Sequence, residues 1–175
     1  MEQQIKAIIG LGNPGAAYAR TRHSVGFMVL DALAEHIGGC SWRNSESYES
    51  CEVAMRDNPV LLIKPTTFMN NSGQVIPALA KKGIKVENIL VVHDELELPF
   101  GQIKTKMGGS ARGHNGLRSL IERVGENFMR VRVGIGRPER KEDVSSYVLS
   151  RFNENSDKID TMLTQAVESV LKTLS

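Results

Sequence analysis

One histidine and one carboxylate, far apart along the chain, are the residues best suited to acid–base chemistry. His23 follows a glycine-rich turn at residues 10–15, and Asp94 follows the apolar run at residues 89–92. A carboxylate beside an imidazole fixes the tautomer of the ring and stabilises its charged form, so that the neutral histidine can take a proton from water. A histidine beside a helix start is more often structural than catalytic. The presence of Asp94 favours a catalytic role for His23.

Carboxamide side chains accompany this pair, each in a turn-like polar cluster. They are Asn13, Asn70 and Asn115. Taken singly, asparagines are typical of turns because they hydrogen-bond to their own backbone. Taken together, they offer uncharged groups that can hold a peptide backbone, orient a water molecule or stabilise an oxyanion. Of the other histidines, His114 is expected to add a polar contact, whereas His93 should point away from Asp94 because neighbouring strand residues face opposite sides.

Two glycine motifs suggest other enzyme classes. Residues 10–15, GLGNPG, match the G-x-G-x-x-G fingerprint of dinucleotide-binding folds, but Pro14 interrupts it and several polar residues precede the next helix. The acidic residue expected at the end of a second strand is also missing. The glycine-rich run that ends at Gly113 has one residue too many for the G-x-S-x-G nucleophile elbow. The sequence therefore disfavours a nicotinamide or flavin enzyme and a serine hydrolase.

The composition is that of an ordinary globular protein. The 175 residues are 41% hydrophobic, enough for one domain that buries a core without disulfides or metal. No apolar run is long enough for a membrane span, and residues 1–6 lack the features of a secretory signal. Cys40 and Cys51, without CxxC spacing, are predicted to be free thiols in a reducing cytosol, so a cytoplasmic location is expected.

Basic residues cluster locally, although the net charge of +2 is too small to identify a polyanion as the partner. The cluster comprises Lys104, Lys106, Arg112, Arg118, Arg130, Arg132, Arg137, Arg140 and Lys141. Each of these residues alone fits a solvated surface. As a group they can supply the phosphate contacts of a nucleic-acid site.

The elements that must position these residues alternate between apolar strands and amphipathic helices. Strands are predicted at residues 5–10, 60–63, 89–92, 102–107 and 129–135, with an edge strand or hairpin at 45–55. Helices are predicted at residues 24–37 with Ser24 as N-cap, at 72–82 and 115–124, and from Asn155 or Ser156 to the end, while 143–149 give no clear pattern. The alternation predicts a single α/β domain over residues 1–175 with a mixed, mostly parallel sheet.

Six motifs occur in order along the chain: GLGNPG (10–15), TRH (21–23), PTTFMN (65–70) followed by Ser72 and Gly73, HDEL (93–96), GHNGL (113–117) and RVRVGIGRP (130–138). Together they closely resemble the motifs of bacterial peptidyl-tRNA hydrolases, and the resemblance spans residues 6 to about 152. Each motif is short, but the ordered set is specific. The resemblance implies an enzyme that hydrolyses the ester between a peptide and the 3′-terminal ribose of tRNA, which recycles tRNA from stalled translation.

The resemblance also implies roles for individual residues, carried over by position. The expected catalytic group is His23, Asp94 and Asn13, with His23 as the essential histidine and Asp94 as the carboxylate that orients it. The expected substrate-binding residues are Tyr18, Met69, Asn70 and Asn115. The expected contacts with the tRNA 5′-phosphate are Lys106 and Arg132, with Lys104 beside them.

Further expectations follow from the same resemblance. The fold should be a twisted mixed sheet flanked by helices, and the protein a monomer that needs neither a metal nor another cofactor. Its partner should be peptidyl-tRNA, bound through the acceptor stem and the 3′ end, with no membrane involved.

The chain departs from the family pattern in three places. Ser24 stands where asparagine is common, and a serine there can still cap the helix. Arg112 stands where glycine is usual, in a loop that it can stiffen or supply with a phosphate contact. The sequence also stops at Ser175, short of the usual tail.

A non-catalytic RNA-binding protein is the strongest alternative, because relatives of the family serve as organelle splicing factors and a fold does not prove a function. The presence of His23, Asp94 and the three asparagines favours the enzyme. Release of an N-blocked amino acid from tRNA by the purified protein, without added metal, distinguishes the two.

Overall fold

Seven strands and five helices make up the computed structural model, which describes residues 4–174. The strands are β1 (Ala7–Gly10), β2 (Arg43–Asn44), β3 (Tyr48–Met55), β4 (Asn58–Pro65), β5 (Ile89–Glu95), β6 (Ile103–Met107) and β7 (Met129–Gly134). The helices are α1 (Val25–Ile37), α2 (Ile76–Lys81), α3 (Asn115–Val124), α4 (Val144–Val148) and α5 (Ser156–Thr173). Short 3-10 turns precede α1 (Arg22–Ser24), α2 (Met69–Val75), β5 (Val86–Asn88) and α4 (Lys141–Asp143).

The strands form one mixed sheet in the order β2-β3-β4-β1-β5-β7-β6. The four central strands run parallel, and antiparallel pairing is confined to the two sides of the sheet. The predicted single α/β domain with a mixed sheet is confirmed, and its outermost residues, 1–3 and 175, lie outside the described part of the chain. Because the carboxyl ends of parallel strands open at one edge of a sheet, the turn after β1 and the end of β5 meet there.

Helices cover both faces of the sheet. On one face, α1 and α5 pack over Ile8 and Leu90, and on the other, α2 and α3 pack over Ile9 and Val91. Burial on both sides explains why β1 and the first part of β5 are continuous apolar runs, whereas β7 alternates valines with arginines. Within residues 4–174, no helix combines the length and apolar character needed to cross a membrane.

Helix α1 crosses β1 at short range because glycines face each other at the crossing. A Cβ on Gly10 would lie 2.4 Å from the carbonyl oxygen of Gly26, and a Cβ on Gly26 would lie 2.4 Å from the amide nitrogen of Leu11. A larger side chain at either position would push the helix away from the sheet. The contact therefore fixes the start of α1, and the turn that carries His23, beside the carboxyl ends of β1 and β5.

The helix predicted at residues 72–82 is partly wrong. Its first part is the 3-10 turn Met69–Val75, and α2 covers only Ile76–Lys81. Pro77 explains the difference, because proline lacks an N–H group and fits only the first turn of an α-helix. By contrast, α3 has the predicted bounds, and the side chain of Asn155 caps α5 as expected. The region at 143–149, which had no clear pattern, contains α4.

Cys40 and Cys51 form a disulfide, so the prediction of two free thiols is wrong. Helix α1 ends at Gly38 in a left-handed cap, and the chain then returns along the sheet to Cys51 on β3, which forms a hairpin with β4. The two Cα atoms lie 6.1 Å apart although 11 positions separate the cysteines in the sequence. Only the fold creates this proximity. The cysteines therefore give no support to a reducing compartment.

The substitution Gly26→Ala tests the close crossing of α1 and β1. Alanine favours a helix over glycine by about 1 kcal/mol. We nevertheless expect the free energy of unfolding to fall by about 1–3 kcal/mol, because the new methyl group overlaps backbone atoms of Leu11 and Val92. Urea titration measures the change. The control is Gln165→Ala on the exposed face of α5, which should stay within about 0.5 kcal/mol of wild type. A stabilised Gly26→Ala protein would contradict the tight crossing.

Candidate active site

Asp94, at the end of β5, is the centre of the site. Its carboxylate is buried and accepts from two imidazoles: Oδ2 lies 2.9 Å from Nδ1 of His23, and Oδ1 lies 2.9 Å from Nε2 of His114. The structure therefore brings together the histidine and the carboxylate that the sequence pointed to, and adds a second histidine. The 71 positions between His23 and Asp94 are bridged by the shared edge of β1 and β5.

The tautomer of His114 follows from its position as the N-cap of α3. Its Nδ1 accepts from the backbone N–H groups of Gly116 and Leu117, at 3.1 and 3.2 Å. An atom that accepts two such bonds carries no proton, so Nε2–H of His114 donates to Asp94. Nδ1–H of His23 donates to the other carboxylate oxygen, which leaves Nε2 of His23 with a free lone pair. The sequence showed only a polar contact at His114; the signal for its role is a histidine directly before an Asn-Gly helix start.

The charges of the group depend on one another. Burial lowers the pKa of His23, but the Coulomb attraction of Asp94 and its hydrogen bond together raise that pKa above the ordinary value of 6.5. Burial of Asp94 raises the pKa of its carboxyl, yet the two histidines outweigh it and hold the pKa far below its usual range. Asp94 is therefore ionised at every pH of interest, and His23 is a stronger base than a free histidine.

His93 packs beside His114 and has no hydrogen bond to the Asp94 carboxylate within the described residues. Its Nδ1–H donates to the backbone carbonyl of Asp94 at 2.8 Å, and its ring centre lies 5.3 Å from that of His114. Burial, with a further contribution from His114, lowers the pKa of His93 to about 4. This histidine is therefore neutral. Its ring lies beside that of His114 and lines the same cleft as Asp94, although it has no hydrogen bond to the Asp94 carboxylate within residues 4–174.

Asn13 is held rigidly in the turn after β1. Its Oδ1 accepts from the backbone N–H of Met69 at 2.7 Å, and its own backbone N–H donates to Oγ of Ser24 at 3.1 Å. The amide group of Asn13 thus has a fixed orientation, and its Nδ2 has no partner among residues 4–174. Ser24 occupies the N-cap position of α1, but its side chain does not cap the helix, so that part of the expectation is wrong.

The other predicted substrate-binding residues divide into two groups. Asn115 is exposed and lines a cleft of about 290 Å³ together with His23, Asp94 and His114. Tyr18, Met69 and Asn70 do not line this cleft. Met69 is buried at the Asn13 contact, Asn70 is exposed next to it, and Tyr18 is half-buried.

Phe68 is a residue of this region that the sequence analysis missed. Its backbone has φ +63° and ψ 158°, a conformation that is essentially restricted to glycine, and its side chain is 52% exposed. Its ring packs edge-on against Tyr18, with ring centres 6.2 Å apart. A strained backbone that holds an aromatic ring in solvent is typical of a ligand-contacting position. No sequence pattern signals a non-glycine residue in this conformation.

The lining of the cleft also contains a group of basic residues. Six cationic residues line it: Lys106, Arg112, Arg130, Arg132, Arg137 and Lys141. Hydrogen bonds from Arg132 and from the backbone of Glu97 lower the pKa of Glu95 despite its burial, so this carboxylate is ionised. Nε of Arg132 lies 2.9 Å from its Oε1.

The three predicted phosphate contacts differ in their surroundings. Arg132 lines the cleft but is already paired with Glu95. Lys106 lines the cleft and has no hydrogen-bond or ion-pair partner within the described residues. Lys104 is exposed on β6 opposite Arg132 and lies outside the cleft lining. Lys106 is therefore the predicted cation most available to a ligand.

Arg22, next to His23, anchors the cleft wall formed by α4. Its guanidinium is buried, donates to the backbone carbonyl of Tyr147 at 3.2 Å and to Ser150, and lies 4.0 Å from the centre of the Tyr147 ring. The hydroxyl of Tyr147 donates to the carbonyl of Ile135 at 2.6 Å. The sequence analysis noted Arg22 only as part of a motif, because its partners lie more than 120 positions away.

His23, Asp94 and His114 also offer ligand atoms within 4.8 Å of one another, an arrangement that can hold a metal ion. The hydrogen bonds fit a different use. Nε2 of His114 carries a proton and has no lone pair for a cation, and each oxygen of Asp94 already accepts an N–H group. The expectation of a site without metal stays a prediction.

Comparison with known proteins identifies relatives of the whole chain. Residues 7–175 match the family model described as peptidyl-tRNA hydrolase. A peptidyl-tRNA hydrolase from Rubrobacter xylanophilus is 48% identical over 164 residues, which are 94% of this chain and 92% of that protein. The chain belongs to the peptidyl-tRNA hydrolase family.

Solved structures agree with this assignment to the family. The crystal structure of peptidyl-tRNA hydrolase from Acinetobacter baumannii has a TM-score of 0.89 at 39% identity, with 99% of this chain and 88% of that chain covered. A purine nucleoside phosphorylase from Toxoplasma gondii has a TM-score of 0.61 at 14% identity, with 99% and 91% covered. The second likeness shows a shared fold alone.

Titration of His23 tests the electrostatics of the site. In wild type we expect its pKa above 6.5, and in Asp94→Asn below 6.5, because the attraction of the carboxylate is lost while the burial of the ring remains. NMR of the labelled imidazole measures both values. Glu168→Gln, which changes an exposed carboxylate on α5 without an ion-pair partner among residues 4–174, is the control and should leave the titration unchanged. Equal pKa values in wild type and Asp94→Asn would exclude the proposed coupling.

Proposed function

We propose that this protein hydrolyses the ester between a peptide, or an N-blocked amino acid, and the 3′-terminal ribose of tRNA. The observation that carries the proposal is the Asp94 carboxylate between two imidazoles, which leaves Nε2 of His23 as a free base at the mouth of a cationic cleft. Membership of the peptidyl-tRNA hydrolase family supports the substrate. The reaction releases tRNA from peptides left by stalled translation in the cytoplasm.

The reaction needs two proton transfers, one from water to His23 and one from His23 to the ribose oxygen. Nε2 of His23 takes a proton from water, and the water oxygen forms a bond to the ester carbonyl carbon. The tetrahedral intermediate then breaks the bond to the ribose oxygen, which receives the proton from the His23 imidazolium. Asp94 stabilises that imidazolium and, with His114 on its other oxygen, keeps the ring of His23 in one tautomer. An ester with a ribose leaving group needs no metal to activate it.

Asn13 is the asparagine best prepared to stabilise the oxyanion. Its amide is buried and its orientation is fixed by Met69, so that Nδ2 can donate without reorganisation as the charge develops. Asn70 and Asn115 are exposed and suit the peptide amides of the substrate, with Tyr18 and Met69 shaping that side. Neutral amides accept an acylated nitrogen and disfavour a free ammonium group, since an unpaired charge is costly to bury.

The basic side of the cleft binds the tRNA backbone. Lys106 and Arg132 contact the 5′-phosphate at the acceptor stem, and Lys104 contributes from the adjoining edge strand. Since Glu95 already neutralises part of the Arg132 charge, Lys106 supplies the larger attraction. The protein acts as a monomer without a cofactor.

Replacement of His23 tests the reaction. We expect His23→Asn to lower kcat by about 10²- to 10⁴-fold, the contribution typical of a general base, with the folded structure intact. The assay is release of an N-blocked amino acid from tRNA in the presence of a chelator. His36→Asn, an exposed histidine late in α1, is the matched control and should retain full turnover.

Two results would contradict the mechanism. Near-normal turnover by folded His23→Asn would exclude the histidine as the base. Binding of tRNA by wild type without any hydrolysis would favour the non-catalytic RNA-binding alternative.

Replacement of Lys106 tests the phosphate site. Arg132 is unsuitable because its loss would leave Glu95 unpaired, whereas Lys106 has no protein partner within residues 4–174. We expect Lys106→Gln to weaken tRNA binding similarly for all tRNA sequences, and to reduce the slope of log Kd against log salt by about 0.7–0.9. Lys172→Gln, exposed on α5, is the control. An unchanged slope for Lys106→Gln would place the phosphate elsewhere.

A further inference from the structure

Arg112 occupies a backbone conformation that suits glycine. It has φ +47°, Gly113 after it has φ +83°, and the backbone N–H of His114 donates to the carbonyl of Ala111 at 2.9 Å. Residues 111–114 therefore form a tight turn whose two central residues are both left-handed. Such turns favour glycine or asparagine at each central position, because a larger L-residue is strained there.

No contact within the protein offsets this strain. The side chain of Arg112 is exposed and has no hydrogen bond, ion pair or ring contact with the rest of residues 4–174. The other arginines of the cleft differ: Arg132 pairs with Glu95, Arg137 pairs with Glu97, and Arg130 donates to backbone carbonyl oxygens. An arginine that stabilises the fold would have such partners. The side chain at position 112 is available to a ligand.

The turn at residues 111–114 lies between the basic residues of the cleft and the group formed by His23, Asp94 and His114. Arg112 lines the cleft that also contains Lys106, and His114, two positions later, donates to Asp94. Among the cleft-lining residues of the described chain, the cations whose side chains have neither a hydrogen bond nor an ion pair are Lys106, Arg112 and Lys141. The loop that contains this turn also runs from Lys106 to Asp94, since a Cβ on Gly109 would lie 3.0 Å from Nζ of Lys106 and His114 donates to Asp94. A polyanion bound at both Lys106 and His23 would therefore lie along this loop.

We propose that Arg112 binds a backbone phosphate of the single-stranded 3′ end of the tRNA, between the ester at His23 and the phosphate at Lys106. The inference rests on the proposed function and adds a residue to its substrate site. Guanidinium groups bind phosphate through paired N–H donors, and such contacts carry no sequence preference. Because the side chain lines the cleft, its guanidinium can reach a phosphate bound there.

Three substitutions of Arg112 distinguish the effect of its charge from the effect of its backbone conformation. Arg112→Asn and Arg112→Gly remove the charge and suit the left-handed conformation, while Arg112→Lys keeps the charge. We expect the first two to keep or raise Tm, to weaken binding of deacylated tRNA about fourfold at 0.15 M salt, and to reduce the slope of log Kd against log salt by about 0.7. Arg112→Lys should retain most of the affinity. Arg123→Asn, exposed on α3, outside the cleft lining and outside the basic cluster named above, is the matched control.

Turnover of two substrates shows whether a loss of activity in Arg112→Asn comes from a lost contact with phosphate. One is N-blocked aminoacyl-tRNA, and the other is the same N-blocked amino acid esterified to adenosine, which has no phosphate. For Arg112→Asn, kcat/KM for the tRNA substrate should fall about fourfold relative to kcat/KM for the adenosine ester. An equal loss on both substrates would mean that Arg112 acts by positioning His114, and would overturn the proposal.

The binding data decide the inference independently of the reaction. Unchanged tRNA affinity and salt slope in Arg112→Asn and Arg112→Gly would overturn it. If wild type hydrolysed neither substrate, the proposed function would fail, while the salt slopes would still show whether Arg112 contacts phosphate.

Discussion

A buried carboxylate between two imidazoles is the constraint on which the rest of the site depends. Asp94 is almost completely removed from water, and an ionised carboxylate in that position is costly unless its oxygens accept hydrogen bonds. His23 and His114 supply them, each at 2.9 Å. The two donors come from the turn before α1 and from the start of α3. The burial of an ionised carboxylate at the end of β5 therefore depends on the placement of both helices.

Two neighbouring features hold His23 and His114 in position to donate to Asp94. The Gly10–Gly26 crossing sets α1 close enough for His23 to reach Asp94. The two backbone N–H groups at the start of α3 hold His114 in the tautomer that donates to the carboxylate. A histidine used as a helix cap is thus also part of the electrostatic environment of the base. The His114 side chain both stabilises the start of α3 and donates to Asp94, so a substitution at this position would affect both.

Sequence reasoning reached the parts of the site that have local signals. Apolar runs predicted the strands that precede the glycine turn and Asp94, the residue types indicated His23 and Asp94 as a catalytic pair, and the bounds of α3 followed from its pattern. The role of His114, the strained Phe68 and the partners of Arg22 were missed, because each depends on backbone angles or on residues distant in the chain. The disulfide was missed for the same reason. Pairing of Arg132 with Glu95 was also invisible, since the two residues meet only through adjacent strands.

The guanidinium of Arg22 links two parts of the molecule that a substrate would touch separately. It is fixed to the backbone of α4 on one side and is covalently adjacent to His23 on the other. A displacement of α4 would therefore shift the Arg22 side chain and, through the backbone, the neighbouring His23. The wall of the groove and the proton acceptor are thus mechanically linked, so a nucleic acid poorly seated against α4 would displace Nε2 of His23, the atom that takes the proton from water.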